Sequence, residues 1–178
     1  MKGMVGAVVL GSLLAMSAPG TAQAQARGYV KVGAGVSMPI GDLKDAVKLG
    51  WLGQVVGGFK LNDMFGVRVD GSYGQNKSKA TGGGNVKFLG ALGDVTLSPK
   101  MSGNISPYVL AGAGFLNSKA GGASSTAFAW NAGGGIGFAA GSLGLYVEAR
   151  FLSAKKNGAT SNMIPITVGV QLGGGGKK

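Results

Sequence analysis

Residues able to carry out acid–base chemistry are few in this sequence, and histidine and cysteine are absent. Their absence removes Ser-His-Asp and Cys-His catalysis and every ordinary zinc site. The chain has six carboxylates, and three of them, Asp70, Asp94 and Glu148, fall in segments where polar and apolar residues alternate. A histidine-independent hydrolase that uses Asp70 and Glu148 as a carboxylate pair is one interpretation.

Two arginines accompany these carboxylates: Arg68 precedes Asp70 by two residues, and Arg150 follows Glu148 by two. Residues two apart in a strand point to the same face. Charges buried on that face must be paired, because an unpaired buried charge is strongly destabilising. We therefore favour an interior ion-pair network over catalysis, and we predict no catalytic, cofactor-binding or metal site. The predicted network consists of Arg68, Asp70, Asp94, Glu148 and Arg150.

The element that positions Glu148 and Arg150 is the alternating stretch 143–152. One face of this stretch is wholly apolar, and the opposite face carries both charges. In an outer-membrane barrel the apolar face contacts lipid and the charged face lines the interior. In a soluble sheet the apolar face would pack on a core instead.

Eight such segments follow one another along the chain. They cover residues 27–38, 49–61, 65–75, 86–98, 107–117, 127–140, 143–152 and 163–172. Segments of about ten residues can cross the hydrocarbon when tilted, and an even number can close into a barrel without exposed edges. We expect loops of roughly ten residues after the first, third, fifth and seventh segments and shorter turns after the others, an asymmetry typical of outer-membrane barrels.

The N-terminus has the pattern of a secretory signal peptide. Lys2 precedes an apolar run over 4–16, and Ala22-Gln23-Ala24 offers a cleavage site. The run is too short to span a bilayer. We expect a signal peptide at 1–24, an outer-membrane β-barrel domain at 25–172 and a Gly/Lys tail at 173–178, with export to the outer membrane.

Several short motifs resemble those of the small eight-stranded outer-membrane β-barrel proteins, the porin-like family with an outer-membrane β-barrel domain. They are Gly28-Tyr29-Val30, Met38-Pro39-Ile40-Gly41-Asp42-Leu43, Gly50-Trp51, Pro107-Tyr108-Val109, Gly112-Ala113-Gly114 and Ile164-Pro165-Ile166-Thr167-Val168-Gly169. The resemblance covers residues 27–172 and implies an all-β fold: an eight-stranded antiparallel up-and-down transmembrane β-barrel after a cleaved signal peptide. Enzymes of this fold rely on a histidine, so it also implies a protein that is not an enzyme. Family members usually end on an aromatic residue read by the barrel assembly machinery, an expected partner, whereas this last strand ends at Leu172.

The net charge of +11 arises largely from lysines in or beside the four predicted loops. These are Lys44, Lys48, Lys77, Lys79, Lys119, Lys155 and Lys156. Such a rim favours anionic lipid headgroups over nucleic acid as a partner, with Lys77, Lys79, Lys155 and Lys156 as the predicted lipid-phosphate contacts; the alternative is that the lysines only solubilise the loops.

We therefore expect a monomeric, non-enzymatic outer-membrane barrel with a structural or surface-interaction role. A soluble periplasmic β-barrel that binds an apolar ligand is the alternative, together with the hydrolase considered above. A barrel that binds an apolar ligand should be apolar inside. The interior sets of this chain carry Lys31, Gln54, Arg68 and Glu148 instead.

Overall fold

The computed structural model of the chain describes residues 27–80, 84–101, 103–140, 143–156 and 158–173. The predicted signal peptide, at 1–24, lies outside the described residues. Of the predicted tail, only Gly173 is described, as the last residue of a strand. Both assignments therefore stay predictions.

Eight antiparallel strands form a closed barrel in which each strand pairs with the next and the first pairs with the last. The strands are β1 (Arg27–Ile40), β2 (Val47–Lys60), β3 (Phe65–Ser78), β4 (Asn85–Leu97), β5 (Ile105–Ala120), β6 (Ala123–Ala140), β7 (Leu143–Lys156) and β8 (Ala159–Gly173). One helical turn, α1 (Leu43–Ala46), lies between β1 and β2. No helix of the described residues is long and apolar enough to cross a membrane. The eight-stranded all-β fold predicted from the alternating segments is confirmed.

The inward and outward faces follow the alternation read from the sequence. In β3, Arg68 and Asp70 are buried in the lumen, whereas Val67 and Val69 are exposed on the outer surface. The same division holds in β7, where Glu148 and Arg150 point inward and Val147 points outward. A strand directs neighbouring side chains to opposite faces, so closing the sheet separates the two sets into an interior and an exterior.

The prediction of four long loops at one end of the barrel is wrong. Strand β5 continues to Ala120 and β6 begins at Ala123, while β7 reaches Lys156 and β8 begins at Ala159. The prediction ended these strands too early because it took runs of polar side chains as loops. Ladder hydrogen bonds join backbone groups, however, and therefore continue beside polar side chains as long as a neighbouring strand is present.

A tight turn at Gly121-Gly122 makes the long β5–β6 hairpin possible. Both residues have positive φ, 55° and 88°, which the favoured two-residue hairpin turns require and glycine adopts without strain. Polar side chains also bridge the strands near the tip, where Asn117 Nδ2 donates to Ser124 Oγ at 3.0 Å and to Thr126 Oγ1 at 2.8 Å. The predicted loop over 118–126 is thus mostly strand that extends beyond the apolar surface.

Interior glycines leave the space that the polar side chains of the lumen occupy. A Cβ atom at Gly112 would overlap Asp94 Oδ1, and one at Gly33 would overlap the hydroxyl of Tyr146. By contrast, Gly71 on the outer face has nothing within 4 Å of its Cβ position. An eight-stranded barrel is only just wide enough for its own side chains, so larger residues can be accommodated on one strand only where the facing strand carries glycine.

Candidate functional site

The middle of the lumen contains a network of charged side chains centred on Arg68. Its Nε donates to Asp94 Oδ2 at 2.9 Å, and its Nη1 and Nη2 donate to the two oxygens of Glu148 at 2.6 and 3.0 Å. The second contact is bidentate, the strongest geometry for an arginine–carboxylate pair. The Nη2 atom also lies 3.6 Å from Asp70 Oδ2. Arg68 therefore contacts all three buried carboxylates.

Arg150 forms the other half of the network. Its Nη1 donates to Asp70 Oδ2 at 2.6 Å and lies 3.8 Å from Asp94 Oδ2, and its Nε lies 3.4 Å from Glu148 Oε1. Sequence reasoning placed the five charged residues in one interior network and assigned no individual pairs. In the structure all five are in contact, and the shortest ion pair of Arg150 is with Asp70.

Three uncharged residues complete the network, and sequence reasoning did not assign them to it. Tyr108 donates its hydroxyl to Glu148 Oε2 at 2.7 Å, Asn131 donates to Asp94 Oδ1 at 2.7 Å, and Gln54 accepts from Arg150 at 2.9 Å. Their position on the inward face was readable from the alternation, but their partners lie on other strands. Tyr108 and Asn131 add donors to the buried carboxylates, and Gln54 adds an acceptor for the Arg150 guanidinium, so all three groups support the ion pairs.

The charged side chains of the network are almost completely shielded from solvent. Side-chain exposure is 0% for Arg68, Asp70, Asp94 and Glu148 and 4% for Arg150. Two guanidinium groups face three carboxylates, which leaves one formal negative charge in the group. No cluster of acidic residues in the described chain could hold a metal ion.

The end of the lumen nearer α1 is filled by apolar side chains. Buried residues pack there in one cluster, namely Leu52, Phe88, Leu92, Leu116, Ala129, Leu152, Ala154 and Met163, with Leu43 of α1 packed against it. This apolar plug and the charged network fill successive layers of the barrel interior. The two layers leave no wide passage through the described part of the lumen.

A lysine surrounded by tyrosines occupies the layer on the other side of the network. Lys31 Nζ lies 4.2 Å from the ring centre of Tyr108, 4.8 Å from that of Tyr146 and 5.6 Å from that of Tyr29. Beyond this layer the lumen opens, at the end of the barrel that carries Arg27 and Gly173, into a cavity of about 560 Å³. Lys31 was assigned to the interior from the sequence. Its tyrosine neighbours lie on other strands, and only the closed barrel brings them to the lysine.

The outer surface carries a band of apolar side chains bordered by aromatic residues. Valines dominate the middle of the band, with Val69 65% exposed and Val168 56% exposed. Aromatic residues toward the α1 end contact one another in edge-on or tilted pairs, namely Trp51 with Tyr73, Phe115 with Phe128 and Trp130 with Phe151. Exposed apolar surface of this extent, with aromatic residues at its border, is typical of a protein surrounded by lipid.

Lysines lie on the outer surface just beyond these aromatic residues. Lys77 follows Tyr73 by four residues, Lys119 follows Phe115 by four, and Lys155 follows Phe151 by four. Lys87 of β4 lies directly opposite Lys119 of β5, and Lys77 is its diagonal neighbour on β3. We call Lys77, Lys87, Lys119 and Lys155 the outer lysine ring. The sequence analysis did not include Lys87 among the lysines at this end. Lys87 precedes the outward-facing Leu89 by two residues, and this spacing places it on the same outer face.

The remaining predicted lipid contacts occupy the rim itself. Lys79 lies just after the end of β3 and Lys156 is the last residue of β7; both are exposed. Lys44 lies in α1 and Lys48 at the start of β2. Among the described residues, no carboxylate oxygen lies within 4.0 Å of the ammonium group of any of these lysines or of the outer lysine ring.

An apolar exterior, a charge-paired lumen and closure by an even number of strands define an integral outer-membrane β-barrel protein. The chain belongs to the family described as outer membrane protein beta-barrel domain, whose model matches residues 7–172, and it is located in the outer membrane. No curated protein matches the sequence significantly.

Solved structures with a similar fold are also outer-membrane barrels. Neisserial surface protein A is 19% identical with a TM-score of 0.66, covering 82% of this chain and 96% of its own. Ail, the attachment invasion locus protein of Yersinia pestis, is 16% identical with a TM-score of 0.52, covering 83% and 99%. The N-terminal barrel domain of Pseudomonas aeruginosa OprF is 17% identical with a TM-score of 0.52, covering 81% and 97%. Ail was also solved with the heparin analogue sucrose octasulfate.

Proposed function

We propose that this protein is a non-enzymatic outer-membrane barrel whose lysine-rich end binds the phosphate groups of anionic lipid. The observation that carries the proposal is the direct pairing of Lys87 with Lys119 across β4 and β5. Like charges directly opposite each other on one face of a sheet repel and destabilise the pair. A phosphate group that bridges both ammonium groups would remove this repulsion.

The height of the outer lysine ring supports a lipid as the source of the phosphate. Aromatic residues at the border of an apolar band lie at the membrane–water interface. Four residues of a strand tilted by about 40° rise by roughly 10 Å along the barrel axis. The lysines beyond Tyr73, Phe115 and Phe151 therefore lie in the headgroup region, where lipid phosphates are found.

The rim lysines Lys79 and Lys156 extend the same positive surface outward, and we include them with Lys77 and Lys155 as proposed lipid-phosphate contacts. We further propose that this end of the barrel faces the cell exterior, because the strands extend farthest beyond the apolar band there. Both termini then lie on the periplasmic side. Ail was solved with a polyanion bound, so a barrel of similar fold can take such a partner.

Two other functions are less well supported by the geometry. A barrel that carries an apolar ligand requires an apolar interior, whereas this lumen holds five charged residues in contact and fills its apolar layer with its own side chains. A carboxylate-dependent hydrolase requires Asp70 and Glu148 to reach a substrate. Both side chains are fully buried and paired with arginine.

Assembly and oligomeric state also belong to the proposal. We propose that the barrel assembly machinery inserts the chain and that the protein then functions as a monomer. The closed β1–β8 ladder supports the monomer, because a closed barrel has no free strand edge for pairing with a second copy.

The test is the binding of lipopolysaccharide to detergent-refolded protein, followed through the fluorescence of Trp51 and Trp130, both located near the outer lysine ring. Each lysine near an anionic surface contributes about 1 kcal/mol, so replacing Lys87 and Lys119 with glutamine should weaken binding roughly 30-fold. Replacing Lys77, Lys79, Lys155 and Lys156 should weaken it at least as much.

The matched control replaces Lys60 and Lys100 at the opposite end of the barrel with glutamine, which removes the same charge as the Lys87/Lys119 variant. This control should bind like the parent protein. Binding should also fall as salt is raised from 0.1 M to 1 M, since the Debye length drops from about 10 Å to about 3 Å. Binding that ignores salt, or that falls equally in the control, would contradict the proposal.

A further inference from the structure

The lysine at the centre of the tyrosine layer is a buried cation without a counterion in contact. Lys31 is only 5% exposed. Its Nζ lies over the faces of three tyrosine rings, which attract a cation through their quadrupoles. Among the described residues, however, no carboxylate oxygen lies within 4.0 Å of this nitrogen. The ammonium group thus retains hydrogen-bonding capacity that no group of the described residues uses.

The nearest carboxylate layer is already occupied by other donors. Glu148 Oε2 accepts from Arg68 and from the Tyr108 hydroxyl, and Glu148 Oε1 accepts from Arg68 with Arg150 3.4 Å away. The Tyr108 ring contacts Lys31 on its face and Glu148 through its hydroxyl, so it lies between the lysine and the charged network. Lys31 offsets the excess negative charge of the network only at longer range.

The free side of Lys31 faces the cavity at the end of the barrel that carries the termini. The cavity measures about 560 Å³, within the range of about 300–1,000 Å³ usual for small-molecule sites. Lys31, Tyr29 and Tyr108 line it near the charged network, and Thr96 and Ser106 line it as well. The charged network and the apolar plug close the lumen behind Lys31, so the cavity is a blind pocket rather than the entrance of a channel.

The mouth of the pocket adds further positive charge. Lys60 and Lys100 line the cavity; Lys100 pairs with Asp63 at 2.8 Å, whereas no ion pair of Lys60 occurs in the described part of the chain. Lys60 can therefore offset the charge of an anion that enters. Met64 and Met101 also line the cavity and supply apolar surface beside the cationic groups.

We propose that this pocket binds a small anionic molecule whose carboxylate or phosphate oxygens contact Lys31 Nζ. The anion accepts charge-assisted hydrogen bonds from the ammonium group, and the tyrosine rings hold the lysine in place and shield it from water. The neighbouring methionines accommodate a short apolar part of the ligand. This pocket lies at the opposite end of the barrel from the outer lysine ring and does not depend on lipid binding there.

The experiment uses the full barrel in phosphatidylcholine nanodiscs and nuclear magnetic resonance. The probes are inorganic phosphate, hexyl phosphate, hexanoate and the uncharged hexanol. We expect the three anions to shift the side-chain signals of Lys31 and the amide signals of Gly66 and Gly137, which line the pocket. Hexanol should leave the Lys31 signals unchanged. Hexyl phosphate that binds more tightly than phosphate identifies a ligand with an apolar chain, and equal affinities identify a free anion.

Two variants of Lys31 separate charge from packing. Lys31→Met should weaken hexyl phosphate binding about tenfold or more, because the charge-assisted contact is lost, and Lys31→Arg should retain most of it. Lys44→Gln, which removes one exposed charge at the other end of the barrel and lies outside the outer lysine ring, is the matched control and should bind like the parent protein. The Lys31 side-chain shifts of the parent protein decide the matter without any variant. Absent shifts at saturating anion, or undiminished binding in folded Lys31→Met, would overturn the proposal.

Discussion

Removing the carboxylate of Glu148 should strongly destabilise the barrel. Glu148→Ala takes away the bidentate bonds from Arg68 at 2.6 and 3.0 Å and the bond from the Tyr108 hydroxyl at 2.7 Å. The Arg68 guanidinium then remains buried with one of its carboxylate partners missing. Loss of one partner of a buried ion pair lowers the free energy of unfolding by about 3–5 kcal/mol.

The assay is equilibrium unfolding by urea of the barrel folded into short-chain phosphatidylcholine vesicles, followed by tryptophan fluorescence and by gel migration of unheated samples. With an m-value of about 2–3 kcal/mol per M, the expected loss lowers the urea midpoint by about 1–2.5 M. The m-value itself should not change, because the substitution removes contacts without altering the surface exposed on unfolding.

A double-mutant cycle with Arg68→Ala isolates the pair. Once Arg68 is absent, Glu148→Ala should do much less damage, which gives a coupling energy of about 2–3 kcal/mol. The coupling with Arg150→Ala should be smaller, since its Nε lies 3.4 Å from Glu148 Oε1. The Asp63–Lys100 pair is the matched control: its N–O distance is 2.8 Å, but both side chains are 70% exposed, so its coupling should lie near the roughly 0–1 kcal/mol of surface pairs.

An unchanged urea midpoint for the Glu148→Ala barrel would refute a stabilising role of the buried ion pairs. Equal coupling energies in the buried pair and in the Asp63–Lys100 control would refute it as well. Either result would mean that water reaches the network and screens its charges, so that distance alone, and not burial, sets the strength of these ion pairs.

Two further predictions concern the two faces of the barrel wall. Val168 lies on the exposed apolar band, and Val168→Arg should lower the free energy of unfolding in bilayers by about 2–4 kcal/mol. The control Ala123→Arg, in the hairpin beyond the band, should have little effect. Equal folding yields of the two variants into vesicles would contradict the assignment of the lipid face. Gly112→Ala should lower the urea midpoint because the new Cβ would overlap Asp94 Oδ1. Gly71→Ala should leave the midpoint unchanged because the space at its Cβ position is open. If Gly112→Ala unfolds at the same urea concentration as the parent protein, the lumen can expand to accept the added methyl group.

The fold was predictable from the sequence because every strand carries the same two-residue period. A strand such as β7 exposes Val147 to one environment and Glu148 to the other, and this alternation identifies both the strand and the two faces. The ends of the strands were less predictable. Side-chain polarity marks where the membrane ends, whereas a strand ends where its neighbour ceases to supply backbone hydrogen bonds, as at Gly121-Gly122.

The composition of the charged network was also accessible, but its pairing was not. Burial of a few charges of both signs in a narrow lumen requires that they contact one another, and this reasoning selected Arg68, Asp94 and Glu148 among others. Which oxygen accepts from which nitrogen depends on the stagger of strands that lie far apart in the sequence. The bond between Arg68 and Glu148 joins residues 80 positions apart.

The sequence by itself determined that this protein is an eight-stranded barrel with an apolar exterior and a charged interior, since those properties follow from local alternation. Only the tertiary structure decided that Lys31 lies within a ring of three tyrosines and that Lys87 faces Lys119. Both arrangements are set by the register between neighbouring strands and by closure of β1 against β8. Register depends on turn geometry and on the packing of the whole lumen, and no single segment contains that information.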